Sequence, residues 1–191
     1  MSPVEFALLS KRAYTDAPTI GEASGASRMH AYGDVHAFRG TDDLTSMLAD
    51  ANFCTVNVWG LGDLHQGFYA ALAVILPACL ALPRPTAVTG HSLGAALAII
   101  YAAVLAQIGT IVPVYAFEPP RLCNDGIMAA LFSAKGVPFF ATRNGRDLVT
   151  KLPPGLTLPG PLTAIGKPSA LIDNIVDHSI DRVIAALALG A

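Results

Sequence analysis

Gly90-His91-Ser92-Leu93-Gly94 places one hydroxyl between two glycines, each two positions away from it. The block follows a short β-leaning run, residues 86–89, and opens an alanine-rich helix former. A strand that turns sharply into a helix holds its central serine in a strained backbone conformation. The hydroxyl then stands proud of the sheet, and only small residues at the two flanking positions avoid collision. Ser92 is therefore the candidate nucleophile; the competing reading is a glycine-rich turn whose serine caps a helix. Leu93, directly after it, offers a backbone N–H from the helix amino end as a candidate oxyanion donor.

A serine nucleophile needs a base within hydrogen-bond reach and a carboxylate that holds the base in the right tautomer. In parallel α/β sheets with such an elbow the chain order is serine, acid, histidine. His178 is the one histidine after Ser92, so the order selects it as base. The carboxylates in between are Glu118, Asp125, Asp147, Asp173 and Asp177. Asp147 follows a predicted strand in Asn144-Gly145-Arg146-Asp147, and Glu118 ends the strand before it; both stand at the edge expected for Ser92. Asp173 and Asp177 lie too close to His178 in sequence to orient it comfortably, and Asp125 fits a helix start. His91 is expected to point to the opposite side of the turn from Ser92 and to pack there.

The elements that must position these groups follow from periodicity. Helical spacing runs over residues 4–13, and residues 29–32 and 35–38 flank Gly33-Asp34 as paired strands. A short helix is predicted over 41–51, a strand over 53–58, and a helix over 67–82 that is kinked or restarted near Pro77. Strand 86–89, helix 93–107, strand 111–117, helix 125–135 and strand 137–143 then alternate, which argues a parallel sheet with ligands outside the carboxyl ends of its strands. Residues 152–168 hold five prolines and three glycines and read as a long loop. A last helix is predicted over 176–189, with His178 near its start.

The 191 residues fit one domain with a sizeable core, without internal repeat or linker. With 53% hydrophobic and 14% charged residues, either the core is large or apolar surface is exposed, and exposed apolar surface suits a greasy substrate. A net charge of -2 gives nucleic-acid binding no electrostatic support. The apolar stretch 95–106 is too short to span a bilayer. The first residues lack the basic head and apolar run of a signal peptide, so the cytoplasm is the default expectation. Cys54, Cys79 and Cys123 make neither a disulfide framework nor a zinc spacing.

Four blocks together resemble the class 3 lipase family, which includes small fungal triacylglycerol lipases. They are Phe38-Arg39-Gly40-Thr41, His65-Gln66-Gly67-Phe68, Gly90-His91-Ser92-Leu93-Gly94, and Asn144-Gly145-Arg146-Asp147-Leu148-Val149 running into Leu152-Pro153-Pro154. The resemblance implies a single-domain α/β-hydrolase fold, a mostly parallel sheet flanked by helices, without cofactor or catalytic metal. It favours Asp147 over Glu118 as the acid and matches Thr41 to the family's second oxyanion donor. It also places a lid after Thr41, where Leu44, Met47 and Leu48 form one apolar stripe at helical spacing. Many relatives carry glycine just before the block corresponding to Pro119-Pro120-Arg121, where this chain has Glu118.

The expected activity is hydrolysis of lipid or acyl esters through an acyl-enzyme, with transient contact to a lipid surface. A thioesterase or acyltransferase with the same triad is the alternative enzyme. A non-catalytic lipid-binding module is the alternative outside catalysis.

Overall fold

The computed structural model describes residues 1–22, 25, 27–41 and 54–190. At its centre β5 (Ala87–His91) is buried along its whole length, as a parallel strand covered on both faces must be. β2 (Val35–Phe38) and β6 (Val114–Phe117) flank it in parallel register, Phe38 opposite Gly90 and His91 opposite Phe117. β1 (Met29–Tyr32) joins β2 as an antiparallel hairpin, and β7 (Phe139–Asn144) and β8 (Leu162–Ile165) extend the other side in parallel. The sheet order is thus β1-β2-β5-β6-β7-β8, while β3 (Thr55–Val58) and β4 (Gly62–His65) form a separate hairpin.

Helices cover both faces. α3 (Leu93–Gln107) packs on β5 and β6 between α2 (Gln66–Ala81) and α4 (Ile127–Lys135). It is apolar around nearly its whole circumference, because alanines let sheet and helices approach it from every side. On the opposite face α1 (Pro3–Arg12) and α5 (Ile180–Ala188) bury Phe6, Ala7, Val183 and Ala186 against Val35, Ala87, Phe117 and Ile165. α1 starts in a capping box, Ser2 and Glu5 satisfying one another's backbone amides. None of the described helices is long and apolar enough to cross a membrane.

Three expectations change. The proline-rich stretch 152–168 contains β8, because its prolines and glycines lie outside Leu162–Ile165 and an edge strand needs ladder bonds on one side only. The last helix begins at Ile180, not 176, because turns at Asn174 and Asp177 hold the chain until Ser179, leaving His178 in the preceding loop. α2 passes through Pro77 as one element. β4 had no expectation, since Gly62 and Asp63 are poor strand formers. The predicted helix over 41–51, with Leu44, Met47 and Leu48, lies outside the described residues beyond Thr41.

Candidate active site

Ser92 leaves β5 with φ 59° and ψ −129°, a conformation a non-glycine residue adopts only when its surroundings enforce it. The enforcement is visible on both sides. A Cβ at Gly90 would lie 2.3 Å from the Gly94 carbonyl oxygen, and one at Gly94 would lie 2.1 Å from that of Phe38. The Ser92 N–H donates to the Phe117 carbonyl at 3.0 Å, which fastens the turn to β6. The first amides of a helix have no intrahelical acceptor, so the Leu93 N–H at the head of α3 is available beside the serine.

His178 Nδ1 lies 2.9 Å from Asp147 Oδ2, and Asp147 Oδ1 accepts the Val149 N–H at 2.9 Å. With Nδ1–H donating to the carboxylate, Nε2 carries the free lone pair. Ser92 Oγ and His178 Nε2 are both buried, and neither has a hydrogen-bond partner among the described residues.

The two loops that bring Asp147 and His178 together are tied by Asp177. Its carboxylate accepts the N–H groups of Arg146 at 2.9 Å and Ser169 at 3.0 Å, and Arg182 lies 3.2 Å away. Burial works to raise the Asp177 pKa, but the hydrogen bonds from Arg146, Ser169 and Asn174 outweigh it and hold the carboxyl below its ordinary value. Asp147 and Asn174 pair like parallel strands, Leu148 N–H donating to Asn174 O at 3.1 Å and Asn174 N–H to Arg146 O at 3.0 Å. Asp177 was dismissed as an orienter on sequence distance, and it is none; its role as the fastener had no sequence signal beyond adjacency to His178.

A second buried carboxyl stands beside this pair. Glu118 follows β6 at φ 53°, fully buried, with Oε2 2.9 Å from His91 Nε2 and 3.8 Å from His178 Nδ1. His91 Nδ1 in turn lies 2.8 Å from the Tyr14 hydroxyl. Burial first, and the charge of Asp147 next, push the Glu118 pKa up to about 10. Burial and the neighbouring His178 hold His91 well below its ordinary value. Both partners are therefore neutral near pH 7, and the contact is a hydrogen bond from a carboxylic acid to an imidazole, not an ion pair. His91 then donates Nδ1–H to Tyr14.

His91 is packed, as expected, and its ring centroid lies 4.8 Å from that of His178. Thr41, His91, His178 and Tyr14 line one cleft of about 370 Å³. The Phe38 carbonyl against Gly94 ties the segment carrying Thr41 to the first turn of α3. The Arg39 guanidinium sits over the Tyr14 ring at 5.3 Å. Tyr14 belongs to no motif, and nothing in the sequence pointed to it. His65 caps α2, its Nδ1 3.4 Å from the Phe68 N–H. His91, Glu118 and His178 also bring three ligand-type atoms within 4.8 Å of one another, but a metal ion there would have to displace the bonds just described.

A mostly parallel sheet, helices on both faces and a serine at a strand-to-helix elbow define the α/β-hydrolase fold. Residues 35–157 match the family described as lipase (class 3), and the chain belongs to that family. It is 31% identical over 133 residues to a lipase of Rhizomucor miehei, an alignment covering 61% of this chain and 36% of that protein. It is 32% identical over 133 residues to the secreted mono- and diacylglycerol lipase 1 of Fusarium solani, covering 63% of this chain and 39% of that protein. The chain thus spans little more than a third of the length of these curated relatives. Among solved structures, the lipase of Rhizopus microsporus var. chinensis superposes with a TM-score of 0.67 at 21% identity, over 90% of this chain and 75% of that one.

Proposed function

We propose that this chain is a serine carboxylic-ester hydrolase acting on lipid or acyl esters, with Ser92 as nucleophile, His178 as base and Asp147 as the acid that orients it. The observation that carries the reading is the 2.9 Å bond from His178 Nδ1 to Asp147, which leaves Nε2 without a partner among the described residues, as the elbow serine's Oγ also is. In this reading Nε2 takes the Ser92 proton as Oγ attacks the ester carbonyl. The buried Asp147 stabilises the resulting imidazolium, which then protonates the departing alkoxide. Water repeats the cycle on the acyl-enzyme and returns the free acid. The N–H groups of Leu93 and Thr41 face the developing oxyanion, each worth about 3 kcal/mol of transition-state stabilisation.

Lipid esters as the substrate class are supported by membership of the class 3 lipase family and by the names of the Rhizomucor and Fusarium relatives. A transient contact with a lipid surface draws support from the loop ahead of His178. Leu171 is 89% exposed and Ile172 74%, on a loop that hydrogen bonds to Asp177 and Asn174 hold in shape. Large aliphatic side chains held outward beside a reaction site suit a greasy aggregate.

The test is labelling with a fluorophosphonate followed by peptide mass spectrometry, beside turnover of a short p-nitrophenyl ester. Label on Ser92, and loss of turnover to below about a hundredth in Ser92→Ala, are expected. Undiminished turnover in Ser92→Ala would refute the reading.

A further inference from the structure

We propose that Glu118 is a second orienting carboxyl for His178, a positioning residue able to take over the imidazole Nδ1–H when Asp147 cannot hold it. The inference rests on the reading of His178 as the base.

The geometry is a convergence of two acids on one proton. Asp147 Oδ2 meets His178 Nδ1 at 2.9 Å, and Glu118 Oε2 faces the same nitrogen at 3.8 Å from the neighbouring strand end. A small rotation of the Glu118 side chain closes that gap. Its other oxygen, Oε1, is buried without a partner among the described residues, so the carboxyl has accepting capacity in hand. The backbone adds weight: Glu118 sits at φ 53°, where a residue with a side chain is strained. Glycine would relieve that strain, yet the position carries a buried acid.

Two carboxylates this close to one imidazole do not both ionise readily. Asp147 accepts the Val149 N–H of its own loop, and Glu118 keeps its proton, donated to His91. The groups facing Glu118 are Asp147 beyond β7, Asp177 ahead of α5, Arg182 on α5, His91 at the end of β5, and His178. The negative charge of Asp147 is a main obstacle to ionising Glu118, second only to burial. Removing it frees Glu118 to lose its proton. That proton moves to His91 Nε2 as the Nδ1 proton of His91 passes to the Tyr14 oxygen and the Tyr14 hydroxyl proton enters the cleft. The carboxylate left behind accepts the Nδ1–H of His178.

The experiment measures kcat/KM on a dissolved short-chain p-nitrophenyl ester from about pH 6 to about pH 10. It compares the parent, Asp147→Asn, Glu118→Gln and the double variant, with Ser92→Ala as the background to subtract. A serine triad with one carboxylate loses roughly 10⁴-fold when that acid becomes an amide. Here Asp147→Asn is expected to lose only about 10²-fold, and its activity to keep climbing with pH after the parent levels off, since ionised Glu118 is the active form. Glu118→Gln alone costs about tenfold or less, while the double variant loses at least about tenfold beyond Asp147→Asn and shows no late climb. Glutamine keeps a donor for His91, so the variant preserves that bond. A double variant as active as Asp147→Asn, or an Asp147→Asn profile without the late climb, overturns the proposal. If the double variant does not fold, the Asp147→Asn profile decides alone. Full activity in Ser92→Ala would instead sink the hydrolase reading, and the role of Glu118 with it.

Discussion

Asp177 accepts the backbone N–H of Arg146 at 2.9 Å, so the residue before the candidate base is fastened to the residue before the candidate acid. One carboxylate thereby helps set the relative position of two loops whose side chains meet in the 2.9 Å bond between His178 and Asp147.

Asp177→Ala should remove that fastener. The expected loss is about 2–4 kcal/mol of stability, because several donors lose a charged acceptor in a buried setting. Chemical denaturation measures it. The Asp177 pKa is lowered in the folded protein, so its contribution is full above the ordinary value of 3.8 and is lost as pH falls through the folded value. The gap between parent and variant should therefore narrow in strong acid. A constant gap would mean that the carboxylate charge is irrelevant.

Glu118 titrates in the opposite sense. The unfolded chain releases this proton near the ordinary 4.5, while the folded protein keeps it to about 10. Its stabilising contribution is complete below about 4.5 and drains away as pH rises toward about 10. Thermal melting of Glu118→Gln beside the parent should show the variant gaining on the parent with each step from acid to alkaline buffer. Parallel melting curves at all pH values would contradict a neutral Glu118.

Gly94→Ala should damage fold and activity together. The added methyl would meet the Phe38 carbonyl oxygen at 2.1 Å and the Arg39 backbone carbon at 2.7 Å, and neither can step aside without moving the segment that carries Thr41. A cost of about 1–3 kcal/mol is expected, with a fall in kcat larger than any change in KM, because the oxyanion donors are displaced. Denaturant midpoints and steady-state kinetics check the two halves separately.

Leu171→Ser combined with Ile172→Ser should leave hydrolysis of dissolved short-chain esters near the parent rate and depress hydrolysis of emulsified long-chain esters at least about tenfold. These side chains are 89% and 74% exposed, so their loss opens no cavity. Equal effects on both substrates would show that the loop has no part in meeting lipid.

The candidate nucleophile, the candidate base and the alternation around the sheet were legible because each rests on local chemistry. Glycines flank a strained serine, one histidine follows it, and apolar runs alternate with helical spacing. The candidate acid was not legible from residues alone. Glu118 directly follows β6 and Asp147 lies three residues beyond β7, and only the family likeness favoured Asp147, which lies 2.9 Å from His178 Nδ1 against 3.8 Å for Glu118. β4 and β8 escaped because tertiary pairing overrides the poor strand propensity of Gly62-Asp63 and the proline-rich flanks of Leu162–Ile165. Tyr14 and Asp177 act through long-range contacts that no local pattern encodes.

The burial of α3 has a consequence for how this molecule wears out. Ser92 is anchored to a helix buried around nearly its whole circumference, whereas Asp147 and His178 ride on loops held by a handful of polar bonds. Warming loosens such loops before it loosens the core. Activity should therefore fade reversibly, through lost alignment of base and acid, several degrees below the temperature at which the nucleophile's own helix melts.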